Sequence, residues 1–349
     1  MNLIAPFPYF GGKRTIASEV WGALGQPKHY IEPFFGSGAV LLLRPRYDQL
    51  SHIETVNDLD GNLSNVWRSL QATPDEVAKY CDWPVNHIDL AARRKVLNQE
   101  YACLVSKMVE DEAFFDATLA GYWIWASCCW IGGGLVDSKI PHHGDAGMGV
   151  HSKIPHLSDA GRGVHSQRPH LGDAGMGVYS QRPHLGNAGR GVQEPYTWGI
   201  YEWFRALSER LRKVRVVCGD WSRVCGGNWQ DNIGEVGIFM DPPYSKEADR
   251  ESEKIYTEDC LEIAHKVRGW CIPRGKQKTY RIALAGYFEE HKELLEQGWF
   301  CKKWSANGGY SHTSGNDDSK NRHKETIFYS PNCFRNVINA YENIEEEEI

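Results

Sequence analysis

The chain has 349 residues, 41% of them hydrophobic, with 13 Trp, 16 Tyr and 12 Phe, enough for one large domain or a core domain carrying an insert. Its formal charge of −6 does not advertise a nucleic-acid binder, but five acids in the last eight positions supply most of it, so a basic face stays open elsewhere. There is no apolar run of about 18 residues, no basic-then-apolar amino terminus and no C-x-x-C pair among the ten cysteines, so we expect no membrane span, no secretory signal, no metal site and a reducing, cytoplasmic setting.

In chain order, Gly11-Gly12-Lys13 precedes a helical stretch, and Tyr30-Ile31-Glu32-Pro33-Phe34-Phe35-Gly36-Ser37-Gly38 predicts strand, tight turn and helix start. A second strand, His52 to Val56, runs into Asn57-Asp58-Leu59-Asp60 and a helix through Leu70. Residues 74–127 are expected to be mainly helical, with an aromatic end at Tyr122, Trp123, Trp125 and Trp130. Residues 138–151, 152–165, 166–179 and 180–193 are four copies of one 14-residue unit, each with several glycines and a proline. That composition predicts a Gly/His-rich loop or ribbon extension, not helix or long strands.

Beyond it come a helix at about 199–212, a strand from Val214 to Val217 leading to Cys218-Gly219-Asp220, and a strand at 237–241. A helix near 257–270, a strand from Tyr280 to Ala285, and strand-like runs at Trp299 to Trp304 and Thr326 to Tyr329 follow, the last two separated by a polar loop, Asn307 to Lys324. About seven strands interleaved with helices predict an α/β fold with a doubly wound, Rossmann-like sheet. The acidic end, 336–349, is expected to be a solvated tail.

Gly237 to Met240 is a short apolar run that stops on Asp241-Pro242-Pro243-Tyr244, because two prolines cannot continue a central strand. The tetrad therefore lies at a strand's carboxyl end, where open α/β sheets place their ligands. A carboxylate, a stiffened carbonyl at Pro242 and the ring of Tyr244 suit a planar group bearing an NH2; an ordinary turn with a packed tyrosine has the same four residues. Gly36-Ser37-Gly38 permits close backbone approach to a ligand beside a helix amino terminus. It is not a dinucleotide fingerprint, since Leu41 stands where the third glycine would be, and the chain has no P-loop. Glu32, just before that turn, suits a ligand with an ammonium or sulfonium. Asp58 suits ribose hydroxyls or caps the next helix, a role open to Asp60 as well. Asp220 suits an adenine amino group or an ordinary turn, and Lys13 suits a carboxylate or plain solvent.

Taken in order, P-Y-F-G-G-K at 8–13, Y-I-E-P-F-F-G-S-G at 30–38, N-D-L-D at 57–60, D-P-P-Y at 241–244 and K-E-T-I-F-Y-S at 324–330 resemble the Dam-type family of DNA adenine methyltransferases. The resemblance covers both ends of the sheet domain and leaves the four-copy repeat uncovered. It implies S-adenosylmethionine over Gly36, Ser37 and Gly38, with Tyr9 and Gly12 in its site, Glu32 near its amino group, Lys13 near its carboxylate, Asp58 at the ribose and Asp220 at its adenine. It implies Asp241, Pro242 and Tyr244 as the catalytic tetrad residues, holding an adenine flipped out of double-stranded DNA. Asp at the first tetrad position favours adenine over the 4-amino group of cytosine.

The same resemblance implies a catalytic domain from 1–61 and 199–335 and an inserted, mainly helical target-recognition domain at 62–198. Arg162, Arg168, Arg182 and Arg190 in the repeat and Lys320 and Arg322 in the polar loop are the candidate DNA contacts. Further basic candidates are Lys266, Arg268, Arg274, Lys276, Lys278, Arg281, Lys302, Lys303 and Lys324. A cognate restriction enzyme fits as a partner; oligomeric state stays open. The alternatives are methylation of another amine, in cytosine, RNA or protein, and a catalytically silent DNA-binding protein of the same fold.

Overall fold

The computed structural model describes residues 3–9, 12–111, 113–130, 135–136, 199–227, 234–243, 262–304 and 325–335. The four-copy repeat, Tyr244, the polar loop and the acidic tail lie outside the described residues. Seven strands, β1 (His29–Glu32), β2 (Ile53–Asp58), β3 (Val214–Cys218), β4 (Val236–Met240), β5 (Tyr280–Tyr287), β6 (Phe300–Lys303) and β7 (Glu325–Tyr329), form one sheet in the order β3-β2-β1-β4-β5-β7-β6. The first five are mutually parallel, whereas β7 runs antiparallel to both β5 and β6. Several boundaries differ from expectation: β2 continues to Asp58 and β5 to Tyr287, the helix expected near 257–270 continues to Gly275, and β4 stops at Met240, so Asp241 follows the strand instead of ending it.

β1 and β4 are buried along their whole length, as central parallel strands covered on both faces should be. Their side chains part by strict alternation. Tyr30, Phe239, Ala283, Ala285, Ile327 and Tyr329 join one apolar cluster, while Ile31, Ile238, Met240, Ile282, Leu284 and Phe328 join another. The first face is covered by helices α1 (Ala17–Leu24), α3 (Gly61–Ala72) and α7 (Ile200–Leu211). The second is covered by α8 (Ser222–Cys225), α9 (Ile263–Gly275) and α11 (Glu293–Glu296). Two short helices, α2 (Ala39–Leu42) and α10 (Phe288–His291), follow β1 and β5.

Between α3 and α7 in sequence lie α4 (Pro74–Cys81), α5 (His87–Glu110) and α6 (Ala117–Cys129), the mainly helical region expected at 74–127. Asn86 and Asp116 cap α5 and α6 by accepting from the Asp89 and Leu119 amides at 2.8 and 2.9 Å. α5 buries Arg93, Leu97, Tyr101, Leu104 and Met108 at helical spacing, a single stripe toward its neighbours. Arg93 is enclosed by the rings of Trp83, Tyr122 and Trp125 at 4.9, 4.4 and 4.4 Å, and it donates to the Tyr80 carbonyl. Of the aromatic run noted in the sequence, Tyr122 and Trp125 thus enclose one guanidinium, while Trp123 packs on Phe7 and Trp130 on Arg94.

Several basic residues considered for DNA contact are occupied inside the fold. Arg268 donates to the Glu290 carbonyl and Arg274 to that of Gly227, while Arg281 donates to Leu24 and to Glu235. Lys302 pairs with Glu19 at 3.1 Å. Behind β2, Glu54 is fully buried and takes two guanidiniums, Arg44 at 3.1 Å and Arg210 at 2.7 Å. Arg44 also donates to the Pro27 carbonyl, and Arg210 to that of Leu41 while stacking on Tyr47 at 3.7 Å.

Two buried imidazoles give the fold an acid limit. His29, bonded to the Thr55 hydroxyl at 2.9 Å, is lowered from 6.5 to about 4 by burial and then by Arg215 and Arg44. His291 is lowered to about 3 by burial, with Arg268 and His265 adding to the effect. The unfolded chain protonates first, so the stability these neutral rings contribute is complete above pH 6.5 and is lost as pH falls through their folded values. The raised carboxyls of Glu32 and Asp241 act in the opposite sense. Thermal melts from pH 7 to pH 4 should show a falling midpoint, and a His29→Asn, His291→Asn double variant should flatten that slope. An unchanged slope in the double variant would remove these residues from the account.

Candidate functional site

The chain runs β1, β2, β3 toward one edge of the sheet and then crosses to β4 and β5 on the other side of β1. The carboxyl ends of β1 and β4 therefore flank the switch point, the position where such sheets open a crevice. A small cleft of about 30 Å³ lies there, lined among others by Tyr9, Gly12, Lys13, Glu32, Gly36, Ser37 and Asp241. Most residues singled out from the sequence for a donor and for a reacting amine thus share one cleft, with Phe34, Phe35, Ala39, Val40 and Phe239 as its apolar walls.

The glycine turn has the geometry its sequence demands. Gly36 and Gly38 sit at φ +48° and +62°, the left-handed region that costs other residues about 1–2 kcal/mol. A β-carbon on Gly36 would lie 2.5 Å from the Tyr9 ring, and one on Gly38 2.5 Å from the Phe35 ring. Gly36→Ala should therefore lower the melting midpoint, given strain of about 1–3 kcal/mol. Differential scanning calorimetry checks this, and a midpoint equal to wild type would contradict the need for glycine there.

Asp58 holds this turn directly. Its carboxylate accepts from the Gly36 amide at 2.8 Å and from the Asp60 amide at 2.9 Å. The helix cap is Asp60, whose side chain accepts from Asn62 at 2.8 Å, so the contest left open by the sequence goes to Asp60. Asp220 lies at the end of β3, exposed, and accepts from the Ser222 amide and hydroxyl. It makes the local turn contact and is not among the residues lining the cleft.

Glu32 is buried and accepts from the Tyr30 hydroxyl at 2.9 Å. Burial holds its carboxyl well above the usual range, the Tyr30 bond pulls back, and nearby Asp241 pushes further up. Asp241 is raised for the same first reason and drawn down by Lys13. Lys13, itself buried, reaches Asp241 Oδ2 at 2.9 Å, with its ammonium 5.8 Å from the centre of the Trp304 ring. Two acids and one ammonium thus meet in the cleft, and in this structure the ammonium sits on the tetrad.

Two scaffold residues escaped the sequence reading. Asn57 donates from one side-chain amide to the carbonyls of Pro33 at 3.0 Å and Gly219 at 2.9 Å, tying the turns after β1 and β3 together. Trp67 donates to the Gly36 carbonyl at 3.1 Å. Asn57 lay within a quoted motif, but its partners are distant in sequence; Trp67 carried no local signal. Phe34 stacks against Trp221 at 6.4 Å, giving the cleft a flat wall on the side of Asp220. The remaining candidates, Tyr244, Arg162, Arg168, Arg182, Arg190, Lys320 and Arg322, fall outside the described residues.

Among the described residues no group of His, Cys, Asp and Glu could hold a metal ion, and no helix is long and apolar enough to cross a membrane. Residues 9–91 match the family model of the D12 class N6 adenine-specific DNA methyltransferases, a family of enzymes. The matched span contains Tyr9, Gly12, Lys13, Glu32, the glycine turn and Asp58, and stops well before Asp241. No curated protein matches the chain.

Proposed function

We propose, from a chain with a D12 class adenine methyltransferase segment at residues 9–91, that it moves a methyl group from S-adenosylmethionine to the 6-amino group of adenine in DNA. The observation that carries this reading is the shared cleft, in which the glycine turn and Glu32 face Asp241 across the β1–β4 switch point. The residues fit the donor. Gly36 and Ser37 line the cleft beside Tyr9, and Glu32 is a buried acid suited to a cationic group. Asp58, which holds the Gly36 amide, is proposed to meet the ribose hydroxyls.

When bound, S-adenosylmethionine supplies a methyl group activated by its sulfonium. The chain's own task is to hold an amine against it. Asp241 accepts one amino hydrogen and the Pro242 carbonyl the other, which draws the nitrogen toward a tetrahedral shape and aims its lone pair. The ring of Tyr244 stacks on the base, worth about 1–3 kcal/mol. That offsets part of the cost, about a few kcal/mol, of flipping the base out of the duplex. Catalysis is then mainly positioning and fixed electrostatics in a site with little water.

The segment 62–198 is proposed as the target-recognition part, with α4 to α6 its described portion. Arg162, Arg168, Arg182 and Arg190 with Lys320 and Arg322 are proposed to meet phosphates, which position without specifying sequence. Incubation with tritiated S-adenosylmethionine and unmethylated DNA, followed by digestion to nucleosides, tests the reading. Label in N6-methyladenosine supports it; label in methylcytosine alone, or none at all, overturns it.

A further inference from the structure

The resemblance assigns Lys13 to the donor's carboxylate, yet in the structure its ammonium lies 2.9 Å from Asp241 Oδ2. We propose that Lys13 is a positioning residue that passes between these two carboxylates, so that donor binding draws it off Asp241 and opens that oxygen to the target amine. This rests on the function proposed above.

Three observations carry it. First, the Lys13 ammonium occupies one oxygen of the carboxylate to which a planar amine would donate, so ammonium and amine compete for the same group. Second, Lys13 lines the same cleft as Gly36 and Ser37, and a β-carbon built on its neighbour Gly12 lies 4.0 Å from Ser37 Oγ. A side chain anchored over the glycine turn reaches either end of the cleft by rotating about its four-carbon stem. Third, Glu32 and Lys13 are buried and Asp241 is only partly exposed, so the ammonium is held firmly by a carboxylate it pairs with. A donor that brings its own ammonium to Glu32 and its own carboxylate to Lys13 rearranges that sharing.

The consequence is a coupling between donor and base. Couplings of this kind change affinity by about 5- to 150-fold and act equally in both directions. A group that merely binds the donor's carboxylate would alter only the donor concentration needed for half-maximal rate. A group that must also leave Asp241 alters the rate at saturating donor.

Decarboxylated S-adenosylmethionine separates the two, since it keeps the sulfonium methyl and the amine but cannot attract Lys13. With wild-type protein and unmethylated DNA, kcat at saturating decarboxylated donor should fall by about tenfold or more relative to the natural donor, because Lys13 then stays on Asp241. In Lys13→Met the two donors should give equal kcat, and Lys13→Arg should restore the discrimination. Lys13→Gln serves the same comparison if Lys13→Met does not fold. Equal kcat for both donors in wild type overturns the proposal. So does a deficit that persists in the uncharged variant, or a folded uncharged variant inert with both donors. If wild type forms no methyladenosine with the natural donor, the proposed function fails instead; methylation without donor discrimination overturns only the role of Lys13.

Discussion

Under the proposed function, methyl transfer to adenine should fall by about 10³-fold in Asp241→Ala, at the upper end of what removal of one preorganised electrostatic contact costs an active site. Asp241 follows a strand buried along its length and lies just ahead of two prolines, so its position is set by rigid backbone on both sides. Alanine removes the acceptor without disturbing that backbone. Donor binding should persist, because the glycine turn, Asp58 and Glu32 are untouched, and equilibrium dialysis with S-adenosylhomocysteine measures it. Asp241→Asn keeps the shape but replaces a carboxylate with a weaker acceptor and a competing donor, and should fall between wild type and alanine. Transfer in Asp241→Ala within tenfold of wild type would remove the tetrad from the chemistry.

Glu54→Ala should cost about 3–5 kcal/mol of folding stability, the range for breaking a buried ion cluster by removing one partner. Glu54 and Arg44 have no exposed side-chain surface and Arg210 very little, so alanine leaves two guanidiniums facing each other without a counter-ion. Burial lowers the Arg44 guanidinium from its ordinary value, Glu54 is the main influence holding it up, and Arg210 opposes. A drop of about 10 °C in the melting midpoint follows from the size of that loss. Adding Arg44→Met and Arg210→Leu to Glu54→Leu should recover most of it, because a well-packed apolar trio needs no charge balance. A single variant melting within 2 °C of wild type, on the same conversion of roughly a few degrees per kcal/mol, would show that water reaches the cluster.

The sequence was most legible where local chemistry decides the outcome. Prolines at 242 and 243, glycines at 36 and 38 and the apolar runs foretold a stop after β4, the turn and the presence of all seven strands, though not every strand end. What it could not show are pairings between residues far apart in the chain. Lys13 meets Asp241, and Arg210 meets Glu54 across 156 positions, with no local pattern announcing either. Asp58 and Asp60 were both fit to cap α3, and only the direction of their side chains separates them. The strand order was hidden for a similar reason: β6 and β7 carry no signature telling which of them lies beside β5.

That last arrangement bears on how the protein is made. β7 is the last strand in the described sequence, yet it lies inside the sheet, bonded to β5 on one side and β6 on the other. On a ribosome adding about 5–20 residues per second, β5 must wait with an open edge until residues 325–329 emerge. β6 meanwhile has no strand to join. A nascent chain halted before Glu325 would expose the unpaired N–H and C=O groups along the edge of Ala283 to Tyr287, the kind of template that captures other chains. The closing five residues therefore act as the latch of the whole sheet, and stalled or prematurely terminated products should be found in the insoluble fraction.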